Sequence, residues 1–325
     1  MNNKTNNKER KVYVNGDFVS EQDAKISIFD SALMFGDMVF EMTRSFNKKQ
    51  FMLRDHLERL FMGIKILQIP MKMSIDELEE ACYLTIEKNE VVFEKHDEHR
   101  LMINVSRGPL GIYSSVFDGK IEPTVVIADF PLKWTVASMA PLFEEGINAV
   151  IPSQRIIPAQ LLDPKIKNRS RIHYQIANIQ ASQFNGKNNW ALLLDPDGFV
   201  AEGTGDNFFI VKNEEIITPE GRNILRGISR DYIFELAKQL NIPCREANFE
   251  PYDVYQADEA FMTATPFCIL PTVSLQTNKI GNGKMGKVTS KLLKQWSKNV
   301  GLDIRKQIEE YGKEVKHLNS DIPTP

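Results

Sequence analysis

The chain contains 325 residues, a length that fits about two domains, and its apolar and charged fractions of 42% and 26% are ordinary for a globular protein. A formal net charge of −3 argues against a general nucleic-acid binder, and no apolar run approaches the ~18 residues of a membrane span. Three widely spaced cysteines, Cys82, Cys244 and Cys268, form neither a disulfide framework nor a metal motif, which indicates free thiols in a reducing cytoplasm.

Both ends of the chain are polar. The first residues, MNNKTNNKERK, have no apolar segment of the kind found in secretory signals, so residues 1–10 are interpreted as a disordered leader. Residues 316–325 are interpreted as a polar tail. Between these ends the sequence predicts an α/β (α+β) protein, with a smaller first domain over residues 11–148 and a larger second domain over residues 149–315.

The first domain begins with a predicted hairpin, Lys11–Val19, whose Asn15-Gly16 pair favours a tight turn. The apolar run Ile26–Phe29 is a candidate continuation of the sheet, and Met38–Phe46 follows as an extended run. Apolar residues at helical spacing predict a helix over Leu53–Leu67. The remaining predicted elements are a helix over Ser74–Lys88 with a Ser74/Glu77 capping box and strands over Leu101–Val105 and Thr124–Ile127. The segment Thr135–Asn148 is interpreted as the domain linker together with the entry strand to the second domain.

The second domain contains a loop and helix over Leu161–Asn185. The loop includes Asp163-Pro164, and the helix is amphipathic, with Ile172, Ile176, Ile179 and Phe184 on one face. The run Asp195-Pro-Asp-Gly198 predicts a turn between two strands. The later predicted elements are a hairpin over Asn207–Ile217, a helix over Asp231–Leu240, a strand over Ala257–Thr263, and helices over Lys287–Val300 and Asp303–Tyr311.

Lys167 lies where this loop meets the helix, and Glu202 precedes a Gly-Thr-Gly turn that leads into a strand beginning at Asn207. An isolated lysine near a helix start is usually a solvated charge. A lysine that can form a Schiff base, together with a carboxylate that can face a pyridinium nitrogen, is however the minimum that a pyridoxal phosphate enzyme needs. The two residues together therefore indicate that kind of chemistry.

Seven short motifs support this interpretation. They are Tyr13-Val-Asn-Gly16, Phe35-Gly-Asp37 with Val39-Phe-Glu41, His56-Leu-Glu-Arg-Leu60, Lys167, Ala201-Glu-Gly203 with Asn207-Phe-Phe209, Leu225-Arg-Gly-Ile-Ser-Arg230 and Thr263-Ala-Thr265. Because these motifs occur in this order over roughly residues 11–310, the chain resembles the class IV aminotransferases of fold type IV. That family includes branched-chain, D-amino acid and (R)-amine aminotransferases and aminodeoxychorismate lyase. The resemblance implies a two-domain fold with the active site between the domains, and a homodimer whose neighbouring subunit completes the pocket.

The resemblance also implies the cofactor, pyridoxal 5′-phosphate, and its contacts. Lys167 is the implied Schiff-base lysine and the base that moves the substrate's α-proton, whereas Lys165, two residues earlier, is the alternative that the family pattern disfavours. Glu202 is implied to pair with the pyridine nitrogen. The implied phosphate contacts are Arg59, the backbone amides of Ile228 and Ser229 at a helix start, and Thr265.

Eight residues are implied to border the substrate pocket. They are Phe35, Phe40, Arg44, Arg107, Ile112, Tyr113, Thr263 and Ala264. The aromatic and aliphatic members of this set predict an apolar wall suited to an aliphatic side chain. This favours an amino donor of the branched-chain type and a 2-oxo acid acceptor.

Departures from the family patterns leave the substrate open. Ile172 stands five residues after the lysine, where branched-chain enzymes often have tyrosine, and Ser170 stands where the lyases tend to have asparagine. No counterpart of the branched-chain carboxylate-binding arginine is found near Met102, and the loop Ser106–Tyr113 differs from that of D-amino acid enzymes. The alternatives are an (R)-amine or D-amino acid transaminase, a lyase of the aminodeoxychorismate lyase type, and a homologue that binds without catalysis.

Overall fold

The computed structural model describes residues 9–315, so the expected tail and residues 1–8 of the expected leader lie outside the described residues. The chain divides into two compact units. Among the described residues, the first consists of residues 9–132 and the short segment Ile166–Ser170, and the second consists of Lys133–Lys165 and residues 171–315. Lys167 therefore belongs to the first unit, which its place in the sequence did not reveal. The expected boundary at residue 148 stays a prediction.

In the described part of the first unit, five strands form an antiparallel sheet. They are β1 (Lys11–Val14), β2 (Asp17–Ser20), β3 (Met38–Met42), β6 (His99–Ser106) and β7 (Thr124–Pro131), while β4 (Ser45–Phe46) and β5 (Lys49–Gln50) form a separate small hairpin. The strand order is β2-β1-β7-β6-β3, which leaves β3 at one edge of the five-stranded sheet. The register pairs Phe40 with Asn104 and Met42 with Met102.

The two faces of this sheet differ because side chains alternate along each strand. On one face, Val39, Leu101 and Ile103 join a buried apolar core. That core also contains residues of the helices that cover it, among them Leu57 and Leu78. The helices and 3-10 segments of this unit are α1 (Ser31–Phe35), α2 (Leu53–Ile66), α3 (Ile75–Asn89), Glu90–Val92 and Gly111–Phe117. The opposite face of the sheet carries the side chain of Phe40 and the other side chains that alternate with those of the core.

In the described part of the second unit, nine strands form a larger sheet. They are β8 (Ile147–Val150), β9 (Asn189–Leu194), β10 (Val200–Gly203), β11 (Asn207–Lys212), β12 (Glu215–Thr218), β13 (Cys244–Glu246), β14 (Glu259–Ala264), β15 (Cys268–Leu275) and β16 (Asn278–Lys279). The strands β10-β9-β8-β15-β14-β11 are neighbours in this order, and β10 also pairs with β11, so the pairings form a closed ring. Glu202 and Asn207 are the residues that pair between β10 and β11.

Seven helices accompany this sheet among the described residues. They are α4 (Lys133–Val136), α5 (Leu142–Glu145), α6 (Ile172–Ser182), α7 (Ile228–Gln239), α8 (Pro251–Tyr255), α9 (Lys287–Val300) and α10 (Ile304–Glu314). In α6, Ala177 and Ala181 are the buried residues, and they pack with strand residues such as Leu193 and Ala201. Over residues 9–315, none of the helices has both the length and the apolar character that a membrane crossing requires.

Most elements expected from the sequence are confirmed, and four expectations need correction. Ile26–Phe29 forms no strand, and Ile28 is 69% exposed. The expected linker Thr135–Asn148 contains short helices, and α7 begins at Ile228, three residues before the expected start. The amphipathic face of α6 is also not the buried one, since Ile172, Ile176 and Ile179 are 73%, 41% and 49% exposed.

Candidate active site

Lys167 is held at the free edge of the first unit's sheet. The amide of Phe40 donates to the carbonyl of Lys167 at 3.0 Å, and the amide of Arg169 donates to the carbonyl of Met38 at 3.0 Å. The lysine segment therefore continues the hydrogen-bond ladder of β3. The Lys167 ammonium lies 4.9 Å from the centre of the Phe40 ring. Backbone pairing thus fixes the position of this lysine although it lies outside any helix.

Lys165, the alternative lysine, has a different environment. Its ammonium lies 2.8 Å from Asp163 Oδ1 and donates to the carbonyl of Arg222 at 3.2 Å. These contacts lie within the second unit, whereas Lys167 belongs to the first. The two lysines are therefore not equivalent, and the environment of Lys167 supports its choice as the reactive amine.

Arg59, the expected phosphate ligand, is oriented by a buried carboxylate. Its Nε and Nη2 donate to the two carboxylate oxygens of Glu41 at 2.6 and 2.8 Å, and His56 Nδ1 lies 2.7 Å from the same carboxylate. Burial alone would raise the pKa of Glu41, but the charges of Arg59 and His56 outweigh burial and lower it well below its ordinary value. The side chain of Arg59 remains 13% exposed, so it is not enclosed with its partners.

We expect substitutions of Arg59 to weaken cofactor binding. Arg59→Lys keeps the positive charge beside Glu41 but loses the planar fork, so we expect the cofactor dissociation constant to rise about 10- to 100-fold. Arg59→Ala should also lower the free energy of unfolding of the cofactor-free protein by about 3–5 kcal/mol, because Glu41 loses its bidentate partner. Fluorescence titration with cofactor measures the first effect and urea unfolding measures the second. An unchanged dissociation constant in Arg59→Lys would remove Arg59 from the phosphate site.

Two buried arginines, Arg44 and Arg100, lie beyond Phe40 on the same side of the sheet. The Arg44 guanidinium is 3.8 Å from the centre of the Phe46 ring, and Arg100 Nη2 is 3.7 Å from Met42 Sδ. Among residues 9–315, Arg100 Nε and Nη1 have no hydrogen-bond partner. Burial, together with the charge of Arg44, lowers the pKa of Arg100 to about 9. Buried donors of this kind favour an anionic partner, because leaving them unpaired is costly.

Arg44 was expected at the pocket from the sequence, but Arg100 was not. The sequence predicted that no carboxylate-binding arginine occurs near Met102, which lies two residues further along the same strand. Met102 and Arg100 share one face of β6 because side chains on a strand alternate. The signal that could have located Arg100 is its place within an apolar strand, at alternating spacing from Met102 and Asn104.

Arg107 serves the local structure of the first unit. Its Nε lies 2.6 Å from Asp37 Oδ2, and its terminal nitrogens donate to the carbonyls of Leu67 and Gln68 at 2.8 and 2.9 Å. These bonds connect the loop after β6 to the end of α2. The Arg107 guanidinium is therefore bound within the first unit, and its contact with substrate stays a prediction.

Three expected pocket residues lie on short elements at the surface of the first unit. Phe35 ends α1 and is 66% exposed, and Ile112 is 79% exposed in the 3-10 segment Gly111–Phe117. Tyr113 packs against Phe29, with ring centres 4.6 Å apart. Phe35 and Ile112 are therefore large apolar side chains that lie at the surface of this unit.

In the second unit, Glu202 is buried and accepts three hydrogen bonds. The Tyr174 hydroxyl donates to Oε1 at 2.9 Å, while Asn207 Nδ2 and the amide of Leu225 donate to Oε2 at 3.1 and 2.9 Å. Burial and the negative charge of Glu202 raise the pKa of Tyr174 well above its ordinary value, so the phenol keeps its proton. Glu202 is thus fixed by donors from a helix, a strand and a loop.

A second carboxyl group, Asp206, lies half-buried in the turn after Glu202, with its Oδ1 atom enclosed. Burial and the nearby charge of Glu202 raise the pKa of Asp206 to about 8, so this side chain is predominantly neutral at pH 7. A Cβ at Gly203 would lie 2.2 Å from Asp206 Oδ1, so a larger residue at this position would displace the Asp206 side chain. The raised pKa means that two adjacent negative charges are avoided in this turn.

The expected anion-binding helix start is connected to Glu202. Helix α7 begins at Ile228 after Gly227, which supplies no side-chain cap. Helix starts favour anions because their first amides point outward. A Cβ at Gly227 would lie 2.2 Å from Asn207 Oδ1, and the Asn207 amide also donates to Glu202. Asn207 therefore links the expected phosphate and pyridine contacts.

The remaining expected residues lie on the neighbouring strand of the second unit. Thr263 pairs with Asn207 across β11 and β14. Its hydroxyl donates to the carbonyl of Cys268 at 2.6 Å, which fixes the turn that contains Thr265. Ala264 is buried at the end of β14. The Thr263 hydroxyl is therefore a structural donor in this turn, and the backbone of the turn is the more suitable ligand for an anion.

The residues present fit pyridoxal phosphate. A fixed lysine amine, a buried carboxylate held by three donors, an oriented arginine and a helix start without a side-chain cap match the chemistry of its aldehyde, pyridine nitrogen and phosphate. The close approach of Gly227 to Asn207 adds a structural requirement for a small residue at the helix start. The fold and these side chains together define a pyridoxal phosphate enzyme.

Comparisons with known proteins agree with this class. Residues 38–275 match the family model for amino-transferase class IV. A Methanocaldococcus jannaschii protein provisionally named a branched-chain-amino-acid aminotransferase is 37% identical over 87% of this chain and 93% of its own. The crystal structure of Escherichia coli branched-chain amino acid aminotransferase is similar with a TM-score of 0.80 and 30% identity, over 90% of this chain and 94% of that one. The Thermobaculum terrenum branched-chain enzyme in its PLP form is similar with a TM-score of 0.77 and 25% identity, over 92% and 96%.

The chain belongs to the class IV aminotransferase family. It is a pyridoxal 5′-phosphate-dependent aminotransferase of fold type IV, as the sequence motifs implied. Its substrates are therefore an amino donor and a 2-oxo acid acceptor.

Proposed function

We propose that the enzyme transfers the amino group of branched-chain L-amino acids to 2-oxoglutarate. The observation that carries this proposal is the composition of the sheet face beside Lys167. Phe40, Met42 and Met102 provide apolar surface for an aliphatic side chain, and Arg100 on the same face has buried donors suited to a carboxylate. The names of the relatives support the same donor class.

Bound pyridoxal phosphate supplies an electron sink for the substrate's α-carbon. Lys167 would hold the cofactor covalently through its Nζ, and the same amine would move the α-proton of the substrate. Glu202 would keep a proton on the pyridine nitrogen by accepting a hydrogen bond from it. Arg59 and the amides of Ile228 and Ser229 would bind the phosphate.

The carboxylates of the substrates need cationic or amide partners. We propose that Arg100 and Arg44 bind the second carboxylate of 2-oxoglutarate or glutamate, because their charges are buried together and Arg100 has unpaired donors within residues 9–315. The backbone amides of the turn Thr263–Thr265 donate hydrogen bonds to the α-carboxylate. An amine donor has no α-carboxylate, so it would make no use of these backbone amides, and the comparison of donors below distinguishes it from an amino acid.

A comparison of three donors tests the substrate proposal. We expect L-leucine to react with 2-oxoglutarate faster than D-alanine or (R)-1-phenylethylamine, each measured as glutamate formation under initial-rate conditions. The apolar face beside Lys167 is the physical reason for the preference. Fast turnover of either other donor with no turnover of L-leucine would overturn the branched-chain assignment and leave the aminotransferase class intact.

We further propose a cytoplasmic homodimer. Support comes from the exposed apolar side chains Phe35 and Ile112, which lie on segments that the family resemblance places at the pocket. A double substitution, Phe35→Ser with Ile112→Ser, should shift the protein towards monomer and lower activity, as measured by sedimentation velocity and rate assays. A variant that stays dimeric, or a parent enzyme that is monomeric at assay concentration, would contradict this assignment.

A further inference from the structure

Arg169 lies on the same side of the lysine segment as Lys167. Asn168 forms the bridge with Val39, whose side chain faces the apolar core. Because side chains alternate in a paired segment, Lys167 and Arg169 both point to the opposite side, towards Phe40. The Arg169 guanidinium lies 3.7 Å from the centre of the Phe40 ring, and the Lys167 ammonium lies 4.9 Å from the same centre.

Asn104 fixes the orientation of this guanidinium. Arg169 Nε and Nη2 both donate to Asn104 Oδ1, at 3.2 and 3.0 Å. Asn104 lies directly opposite Phe40 in the pairing of β3 with β6, so one strand pair supplies both the ring beneath Arg169 and the acceptor beside it. A half-buried arginine held in this way loses little side-chain entropy when it binds a ligand.

None of the strand positions on the face around Arg169 is acidic. The β3 and β6 positions on this face are Met38, Phe40, Met42, Arg100, Met102, Asn104 and Ser106, and their β7 neighbours are Thr124, Val126, Ala128 and Phe130. A buried carboxylate, Asp30, lies at the Ser106 end of the face and accepts hydrogen bonds from Ser106 Oγ and Thr124 Oγ1 at 2.7 and 2.6 Å. Beside Arg169 and Asn104 the strands therefore present apolar and neutral side chains together with the positive charge of arginine. Such a surface favours an anion that is bonded to an apolar group.

We propose that Arg169, oriented by Asn104 and Phe40, binds the substrate carboxylate that is bonded to the reacting carbon. This inference rests on the proposed function, since it requires a carboxylate-bearing substrate at Lys167. The amine of Lys167 must reach the α-carbon, and the α-carboxylate is one bond from that carbon. The Arg169 guanidinium lies two residues from Lys167 and against the same Phe40 ring, so it is suitably positioned to bind the α-carboxylate. Arg100 is less suitable for this group because it lies further along β6, away from Asn104.

The test compares binding of a carboxylate with binding of its neutral amide. In the holoenzyme, 4-methylpentanoate should inhibit competitively and more strongly than 4-methylpentanamide. In Arg169→Leu this preference should fall about 10- to 100-fold, and the KM for L-leucine should rise by a similar factor while kcat changes less. Arg169→Lys should retain part of the preference, and Asn104→Leu should weaken it while leaving the charge in place.

Matched measurements separate the alternatives. Arg54→Leu, which changes an exposed arginine of α2, should leave the preference unchanged. An unchanged preference in Arg169→Leu would overturn the inference, and so would a rise in KM for glutamate with none for leucine, which would assign Arg169 to the second carboxylate. If the parent enzyme turns over no amino acid, the proposed function itself fails, and the inhibitor comparison still reports whether Arg169 binds a carboxylate.

Discussion

Lys167→Ala is expected to abolish transamination while leaving the fold intact. The variant loses the covalent attachment of the cofactor and the amine that moves the α-proton, and loss of a general base alone lowers rates by about 10²–10⁴-fold. The contacts that hold the segment use the backbone carbonyl of Lys167, which alanine retains. Initial rates and thermal unfolding of the same preparations measure the two properties separately.

Lys165→Ala is the matched control for this substitution. Lys165 is bound to Asp163 and to the carbonyl of Arg222, so its loss should affect local stability more than catalysis. Borohydride reduction of the holoenzyme followed by peptide mapping should place the cofactor label on Lys167. A label on Lys165, or near-normal rates in Lys167→Ala, would show that the reactive lysine has been assigned incorrectly.

Glu202→Gln is expected to retain cofactor but to lose much of its activity. An amide of the same size can fill the position and keep some of the three hydrogen bonds, but it cannot stabilise a positively charged pyridine ring as a carboxylate does. We expect kcat to fall by about 10²–10³-fold, the range found when one preorganised electrostatic contact is removed. Steady-state rates, together with the absorption spectrum of bound cofactor, measure this effect.

Glu235→Gln provides the control on an exposed position of α7 in the same unit. Its rates and cofactor content should match those of the parent enzyme. Tyr174→Phe is an informative intermediate case, because it removes one donor from Glu202 and leaves the carboxylate in place. Full activity in Glu202→Gln would exclude the proposed role, whatever the Tyr174 variant shows.

The local elements of the fold could be predicted because their signals are local. The capping box of Ser74 and Glu77 is present at the start of α3, and the apolar spacing over Leu53–Leu67 corresponds to α2 within one residue. The exposed face of α6 could not be predicted in the same way. Ile172, Ile176 and Ile179 have helical spacing, but the small residues Ala177 and Ala181 are the ones that pack against the unit's own strands.

The candidate site was predictable only in part for a related reason. Lys167, Glu202 and Arg59 could be identified from motifs, because each lies in a short sequence pattern. Arg100 and Arg169 carry no such pattern. Their importance follows from the register of β3 with β6 and from the pairing of the lysine segment with β3, which are long-range features that a single sequence does not specify.

A single-turnover half-reaction distinguishes an aminotransferase from a lyase and from a protein that only binds the cofactor. Holoenzyme is mixed with L-leucine without any 2-oxo acid, and the cofactor spectrum and the released 4-methyl-2-oxopentanoate are followed together. We expect conversion of the cofactor to its pyridoxamine form with about one oxo acid released per cofactor, and restoration of the original spectrum when 2-oxoglutarate is added. Release of product without that conversion, or no spectral change with any amino donor tested, would contradict transamination by this enzyme.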